Sequence, residues 1–131
     1  VRAGLVLVVD DEVLIAMLMS DLLEDAGYRV LLAHDGREAL ELLQREQADV
    51  VITDYMMPRL DGLELALAIK ASPEFRHIPI VLTSAVAGDV LERHPGLFAS
   101  FFQKPFDFQE LVATVSKIMR AGRGSFPQNG G

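Results

Sequence analysis

What most constrains this chain is a repeating pattern. A short apolar run, largely of β-branched residues, is followed by a stretch with helical spacing, five times over. The runs are Leu5–Val9, Arg29–Ala33, Val50–Thr53, Ile80–Thr83 and Ser100–Gln103. Apolar strands without polar alternation belong in a parallel sheet covered on both faces. The segments between them supply the covers. Ile15, Leu18, Met19, Leu22 and Ala26 make the stripe predicted for the first helix. Ala39, Leu40, Leu43 and Glu46 follow the second, opened by Asp35-Gly36, and Leu63, Leu67 and the Ala residues around them mark the third. The fourth is expected near Asp89–Arg93 and short, because Pro95 and Gly96 in "ERHPGLF" oppose continuation. The last runs from about Asp107 to Arg120 with Leu111, Val115, Ile118 and Met119 inward. Asp107 and Glu110 have the spacing of a capping box at its start.

This order predicts an α/β fold, a doubly wound parallel sheet with right-handed crossovers. The 131 residues suit one domain, and their 50% hydrophobic content supports a core. Residues 1–120 are expected to form it, with 121–131 ("AGRGSFPQNGG") a flexible tail or linker stub. The start at Val rather than Met is what a fragment or processed chain would show. The chain has no cysteine, which excludes disulfides and thiolate metal sites and fits a reducing cytoplasm. With 19 acids against 12 basic residues and a net charge of −7, direct nucleic-acid binding is not expected. No apolar run reaches membrane-spanning length and no signal-peptide pattern opens the chain, so a cytoplasmic protein with no membrane contact is expected.

A parallel sheet of this kind binds ligands beyond the carboxyl ends of its strands. The residues delivered there are therefore the informative ones. "LVLVVDDEVL" places Asp10, Asp11 and Glu12 after the first strand. The third strand delivers Asp54, the fourth Ser84 and Ala85, and the fifth Lys104 followed by Pro105. Carboxylates held together raise one another's pKa, and a hard cation relieves the repulsion. Mg²⁺ suits such a site, since it takes oxygen ligands from one or two carboxylates and shares phosphate oxygens. Lys104 offers a compact charge to a phosphate oxygen, and Ser84 a hydrogen bond. Phosphoryl transfer asks a protein chiefly for positioning and charge stabilisation, and Asp is a competent covalent acceptor. The central acid, Asp54, is the natural acceptor, and the acids after strand one hold the cation.

Taken in order, "VLVVDDE", "DYMMPRLDG", "LTSA" and "KPF" make the chain resemble the receiver domain of bacterial two-component response regulators, from Val6 to Arg120. Each motif is weak alone; all four at successive strand ends are specific. The resemblance implies the flavodoxin-like strand order 2-1-3-4-5. It implies Asp54 as phosphoacceptor and metal ligand, Asp11 as direct Mg²⁺ ligand with Asp10 acting through water, and the backbone carbonyl of Met56 as a third protein ligand. Ser84 takes the place of the hydroxyl drawn to the phosphoryl group, Lys104 that of the phosphate-binding lysine, and Lys104–Pro105 is expected cis. Phe101 falls at the aromatic switch position. The donor implied is a histidine kinase or a histidine phosphotransfer protein, the output partner is unknown, and the chain is expected to be a monomer or weak homodimer. The brief fourth helix argues against the dimer that many members build on that helix, strand five and helix five. Met56 and Val86 are apolar where other members position a hydrolytic water, so an acyl phosphate that is not especially short-lived is expected. The domain reads as a switch, with self-catalysed phosphoryl transfer and autodephosphorylation and no conventional turnover.

Plainer readings stand beside these. Phe101 reads equally as core. Val13, Leu14 and Met17 lie off the core stripe of the first helix; partial burial and a docking surface for a kinase or phosphotransfer bundle are both open. His34, His77 and His94 read as surface residues in turns, and Glu12 and Asp61 as solvated or helix-capping acids. Two rival functions are weaker. A haloacid-dehalogenase-like phosphatase would need two acids spaced by one residue after strand one with a Thr following, which "DDEVL" lacks. A phosphorylation-independent pseudo-receiver usually lacks the acceptor or the lysine, and both are here. A complete single-domain regulator, a relay intermediate and a receiver from a hybrid kinase or larger regulator all fit the residues.

Overall fold

The computed structural model describes residues 3–86 and 88–124. Five strands form one parallel sheet in the order β2-β1-β3-β4-β5: β1 Leu5–Val9, β2 Arg29–Ala33, β3 Val50–Asp54, β4 Ile80–Ser84 and β5 Ser100–Gln103. The five helices between and after them are α1 Val13–Asp25, α2 Gly36–Arg45, α3 Gly62–Ala71, α4 Val90–Arg93 and α5 Phe108–Gly124. The predicted flavodoxin-like architecture is the one observed. β3 and β4 each run one residue further than predicted, so Asp54 and Ser84 are the last residues of their strands. Among the described residues no helix is long and apolar enough to cross a membrane.

Side chains of the central strands alternate between two cores, as the pleat requires. Leu7, Val9, Val51 and Ile80 pack under α2 and α3 with Ala39, Leu43, Leu65, Ala66 and Ile69. Val6, Val8, Val50, Ile52 and Val81 pack under α1 and α5 with Ala16, Met19, Leu23, Leu111 and Val115. β1, β3 and β4 are buried along their whole length, which explains their unbroken apolar sequence.

Two helix stripes differ from expectation. In α1 the buried residues are Ala16, Met19 and Leu23, while Leu18 is exposed and Ala26 is the C-cap. In α3 they are Leu65, Ala66 and Ile69, and Leu67 is exposed. Both helices are apolar most of the way round, so spacing alone did not set their rotation. Asp107 and Asp61 both cap helices, as expected, but the reciprocal capping box forms at α3 and not at α5. A full reciprocal box forms between Asp61 and Glu64 at the start of α3. At α5 the Asp107 carboxylate accepts from the Gln109 N–H instead, and no reciprocal Glu110 bond is made. α4 is a single four-residue turn, as "RHPG" foretold. α5 continues past Arg120 to Gly124; residues 125–131 of the expected tail lie outside the described residues.

Candidate functional site

Strand ends β1, β3, β4 and β5 meet at one rim of the sheet. Asp10 follows β1 directly and is fully buried; its N–H donates to the Ala33 carbonyl of β2 (3.0 Å). Its Oδ1 accepts from the Glu12 N–H at 2.8 Å, which curls the β1–α1 turn so that Glu12 comes back toward the sheet. Asp54 is 7% exposed, and its Oδ1 accepts from the Tyr55 N–H at 2.9 Å. Carboxylate oxygens of Asp10, Glu12 and Asp54 lie within 4.8 Å of one another.

Lys104 comes from the other end of the site, after β5 and ahead of a cis bond to Pro105. Its Nζ lies 3.3 Å from Asp10 Oδ2, 3.2 Å from Glu12 Oε1 and 3.5 Å from Asp54 Oδ1. Its backbone N–H donates to the Ser84 carbonyl at 2.8 Å, tying β5 to the end of β4. Ser84 is buried, and its Oγ accepts from the Val86 N–H at 3.1 Å, leaving the hydroxyl proton to donate elsewhere.

One ammonium against three acids leaves the site short of positive charge. Burial, and next the Asp10 charge, push Asp54 up to about 6. Burial also raises Asp10, against the pull of the Glu12 N–H and Lys104. Lys104 is held above its ordinary value because Asp10 and Asp54 outweigh the burial that would lower it. The donor set is all oxygen, clustered and under-neutralised, and that is what a hard divalent cation fits.

Asp11 borders this cluster without joining it. Its side chain is exposed and lines a cavity with Tyr55, Met56, Met57, Pro58 and Asp61 beside the acidic cluster. Glu12 is solvated, as expected, with 62% of its side chain exposed, and it also joins the acidic cluster. It occupies the N-cap position of α1 but makes no side-chain cap bond, and it reaches Lys104 instead. The signal was there in its spacing, two residues past the strand-end Asp10. Phe101 is half-buried on the edge strand β5, paired in register with Leu82. Its neighbour Phe102 turns to the opposite face, into a ring cluster with Phe106 and Phe108. His34 and His77 are exposed, as expected, and His34 bonds Glu38 within its own turn.

The family model for the response regulator receiver domain matches residues 6–116. The chain belongs to the response regulator receiver family. This receiver is 40% identical over 118 residues to a probable transcriptional regulator, ycf27, of Guillardia theta, a match covering 88% of the chain and 45% of the relative. It is 39% identical to the response regulator MprA of Mycolicibacterium vanbaalenii, covering 88% of the chain and 50% of that protein. The receiver thus spans about half the length of the curated relatives it matches. Among solved structures, it superposes with TM-score 0.84 on the signal receiver domain of a histidine kinase from Syntrophus aciditrophicus (28% identity, 97% and 96% of the two chains). It also matches the response regulator TrrA of Thermotoga maritima, solved in complex with Mg²⁺ and BeF (TM-score 0.79, 32% identity, 88% and 98% covered). The receiver is a two-component signalling domain, in a family of signalling proteins rather than conventional enzymes.

Proposed function

We propose that Asp54 accepts a phosphoryl group from a phosphohistidine on a histidine kinase or histidine phosphotransfer protein, and that the phosphorylated domain is recognised by a downstream partner. The observation that carries this reading is the placement of a buried Asp54 carboxylate 3.5 Å from Lys104 and within metal-sharing distance of Asp10. A carboxylate oxygen forms the O–P bond as the donor's P–N bond breaks and its electron pair returns to the imidazole. Asp11, Asp54 and the Met56 carbonyl would hold Mg²⁺ directly, and Asp10 through water. Bound there, Mg²⁺ supplies positive charge against the phosphoryl oxygens and the crowded acids. Lys104 exchanges its carboxylate contacts for a phosphoryl oxygen, and Ser84 donates its free hydroxyl proton to another. Phe101 follows Ser84 inward and changes the β5 face, so a partner that prefers that state shifts the population toward it. Val13, Leu14 and Met17, each at least half exposed on α1, form the docking surface for the donor. Met56 and Val86, two residues past Asp54 and Ser84, are exposed and apolar, which supports an acyl phosphate that is not especially short-lived. We read residues 1–120 as the receiver and the setting as cytoplasmic. The test is intact mass after incubation with Mg²⁺ and acetyl phosphate. One phosphoryl adduct is expected on the parent and none on Asp54→Ala; no adduct on the parent, with or without a kinase, would favour a pseudo-receiver.

A further inference from the structure

Arg59 has a backbone φ of 67°, the left-handed region that favours glycine, and no other non-glycine residue with positive φ occurs among the described residues. A side chain in this conformation costs backbone energy that glycine would not. What the side chain does is therefore the question. Its guanidinium crosses to the neighbouring β2–α2 turn, where Nε donates to Asp35 Oδ2 at 2.7 Å and Nη2 donates to the same oxygen. Asp35 is buried, with 7% of its side chain exposed. Its other oxygen, Oδ1, accepts from the Glu38 N–H and caps α2. One carboxylate thus serves a helix with one oxygen and a loop with the other.

That loop is the one between Asp54 and α3. Its two ends are tied by the Gly62 N–H donating to the Tyr55 carbonyl (2.8 Å). Its far side meets the β2–α2 turn twice, through the Arg59–Asp35 pair and through the Gly36 N–H donating to the Leu60 carbonyl (3.1 Å). The approach at Gly36 is close: a Cβ there would lie 2.8 Å from the Leu60 oxygen. Between these anchors Met57 and Leu60 pack into the core, while Met56 is 67% exposed beside Asp11. Met56 is not part of the core, so its backbone is held through its neighbours: Tyr55, whose N–H donates to the Thr83 carbonyl (2.9 Å), Met57, and the rest of the anchored loop.

We propose that the Arg59–Asp35 pair is a positioning device that clamps the β3–α3 loop to the β2–α2 turn and so holds the Met56 carbonyl in place for the divalent cation. This deepens the phosphoacceptor reading and rests on it. Charge alone predicts the opposite for Arg59: deleting a cation near an acidic site should tighten Mg²⁺ binding. Positioning predicts that it weakens.

The experiment titrates MgCl₂, at constant ionic strength, into the ¹⁵N-labelled chain, following the amide signals of Asp11, Tyr55, Met56 and Met57. Parent, Arg59→Gly, Arg59→Lys, Asp35→Asn and the Arg59→Gly/Asp35→Asn double variant are compared, with metal-free thermal melts alongside. Glycine relieves the left-handed backbone, and asparagine keeps the α2 cap, so each variant retains its fold by a different route. Arg59→Gly and Asp35→Asn are each expected to raise the Mg²⁺ Kd about tenfold, the low end of what losing a supporting partner costs a metal site. The double variant should rise no further, and Arg59→Lys should fall between. Arg59→Gly binding as tightly as the parent or tighter would overturn the clamp, as would additive losses in the double variant. A parent that does not bind Mg²⁺ would instead remove the phosphoacceptor reading, and the clamp with it.

Discussion

Thr53 and Thr83 are both fully buried near the carboxyl ends of adjacent strands, yet their hydroxyls fare differently. Thr53 Oγ1 donates to the Asp54 carbonyl at 2.9 Å and steadies the acceptor's backbone. Thr83 Oγ1 has no partner, alone in this among the buried side-chain polar atoms of the described residues. An unmet buried hydroxyl is a cost that an isosteric methyl removes. Thr83→Val should therefore stabilise the fold by about 1 kcal/mol, seen in urea as a higher midpoint with unchanged slope. At this same scale Gly62 admits no side chain, because a Cβ there would sit 2.3 Å from the Asp54 carbonyl oxygen. The "DG" of "RLDG" is thus an Asp61 cap followed by a glycine that lets α3 start against the acceptor's own backbone.

Among the elements, α1 carries more apolar surface than its core contact uses. Val13, Leu14, Met17 and Leu18 are 48–79% exposed, while Ala16, Met19 and Leu23 do the packing. Charge at exposed positions should leave stability within about 0.5 kcal/mol. Leu14→Glu and Met17→Glu are expected to melt like the parent and to take phosphate from acetyl phosphate at the parent's rate. Transfer from a cognate kinase or phosphotransfer protein should slow about tenfold, the cost of losing one anchoring contact. Unchanged kinase transfer would assign this face to partial burial alone. α4 is the opposite case: a single turn, with Val90 its one buried residue.

For the whole molecule, the acidic site sets a pH dependence whose sign follows from Asp54. Folding raises its pKa from 3.8 to about 6, chiefly by burial. The folded state then holds the proton that the unfolded state has lost, so this group's favourable contribution is complete below pH 3.8 and is lost as pH rises through 6. Without Mg²⁺, the Asp54 charge costs roughly 2–3 kcal/mol above that pH. Asp54→Asn should therefore melt at least about 5 °C above the parent at pH 8 in EDTA, with the gap closing by pH 4. Added Mg²⁺ should raise the parent's melting temperature and narrow the gap, because a ligand of the folded state stabilises it by mass action. Asp35 works in the other direction. Its pKa is lowered, first by the Glu38 N–H, so its contribution is present above its unfolded value and fades as acid protonates it.

The strand runs, the order of elements, the brief fourth helix and the four motifs were legible in the residues themselves, because period and turn chemistry are local. From them alone came Asp10, Asp54, Ser84 and Lys104 at one rim, since a parallel sheet brings the ends of all its strands to the same edge. What only the tertiary structure decided were the rotations of α1 and α3, two helices too evenly apolar for spacing to orient. It also decided Glu12, whose path back to Lys104 depends on the fold of the turn after β1. The Arg59–Asp35 contact is the clearest case. The two residues are 24 positions apart in sequence and carry no shared pattern; they meet because only β1 lies between their strands and both loops emerge at the same edge of the sheet.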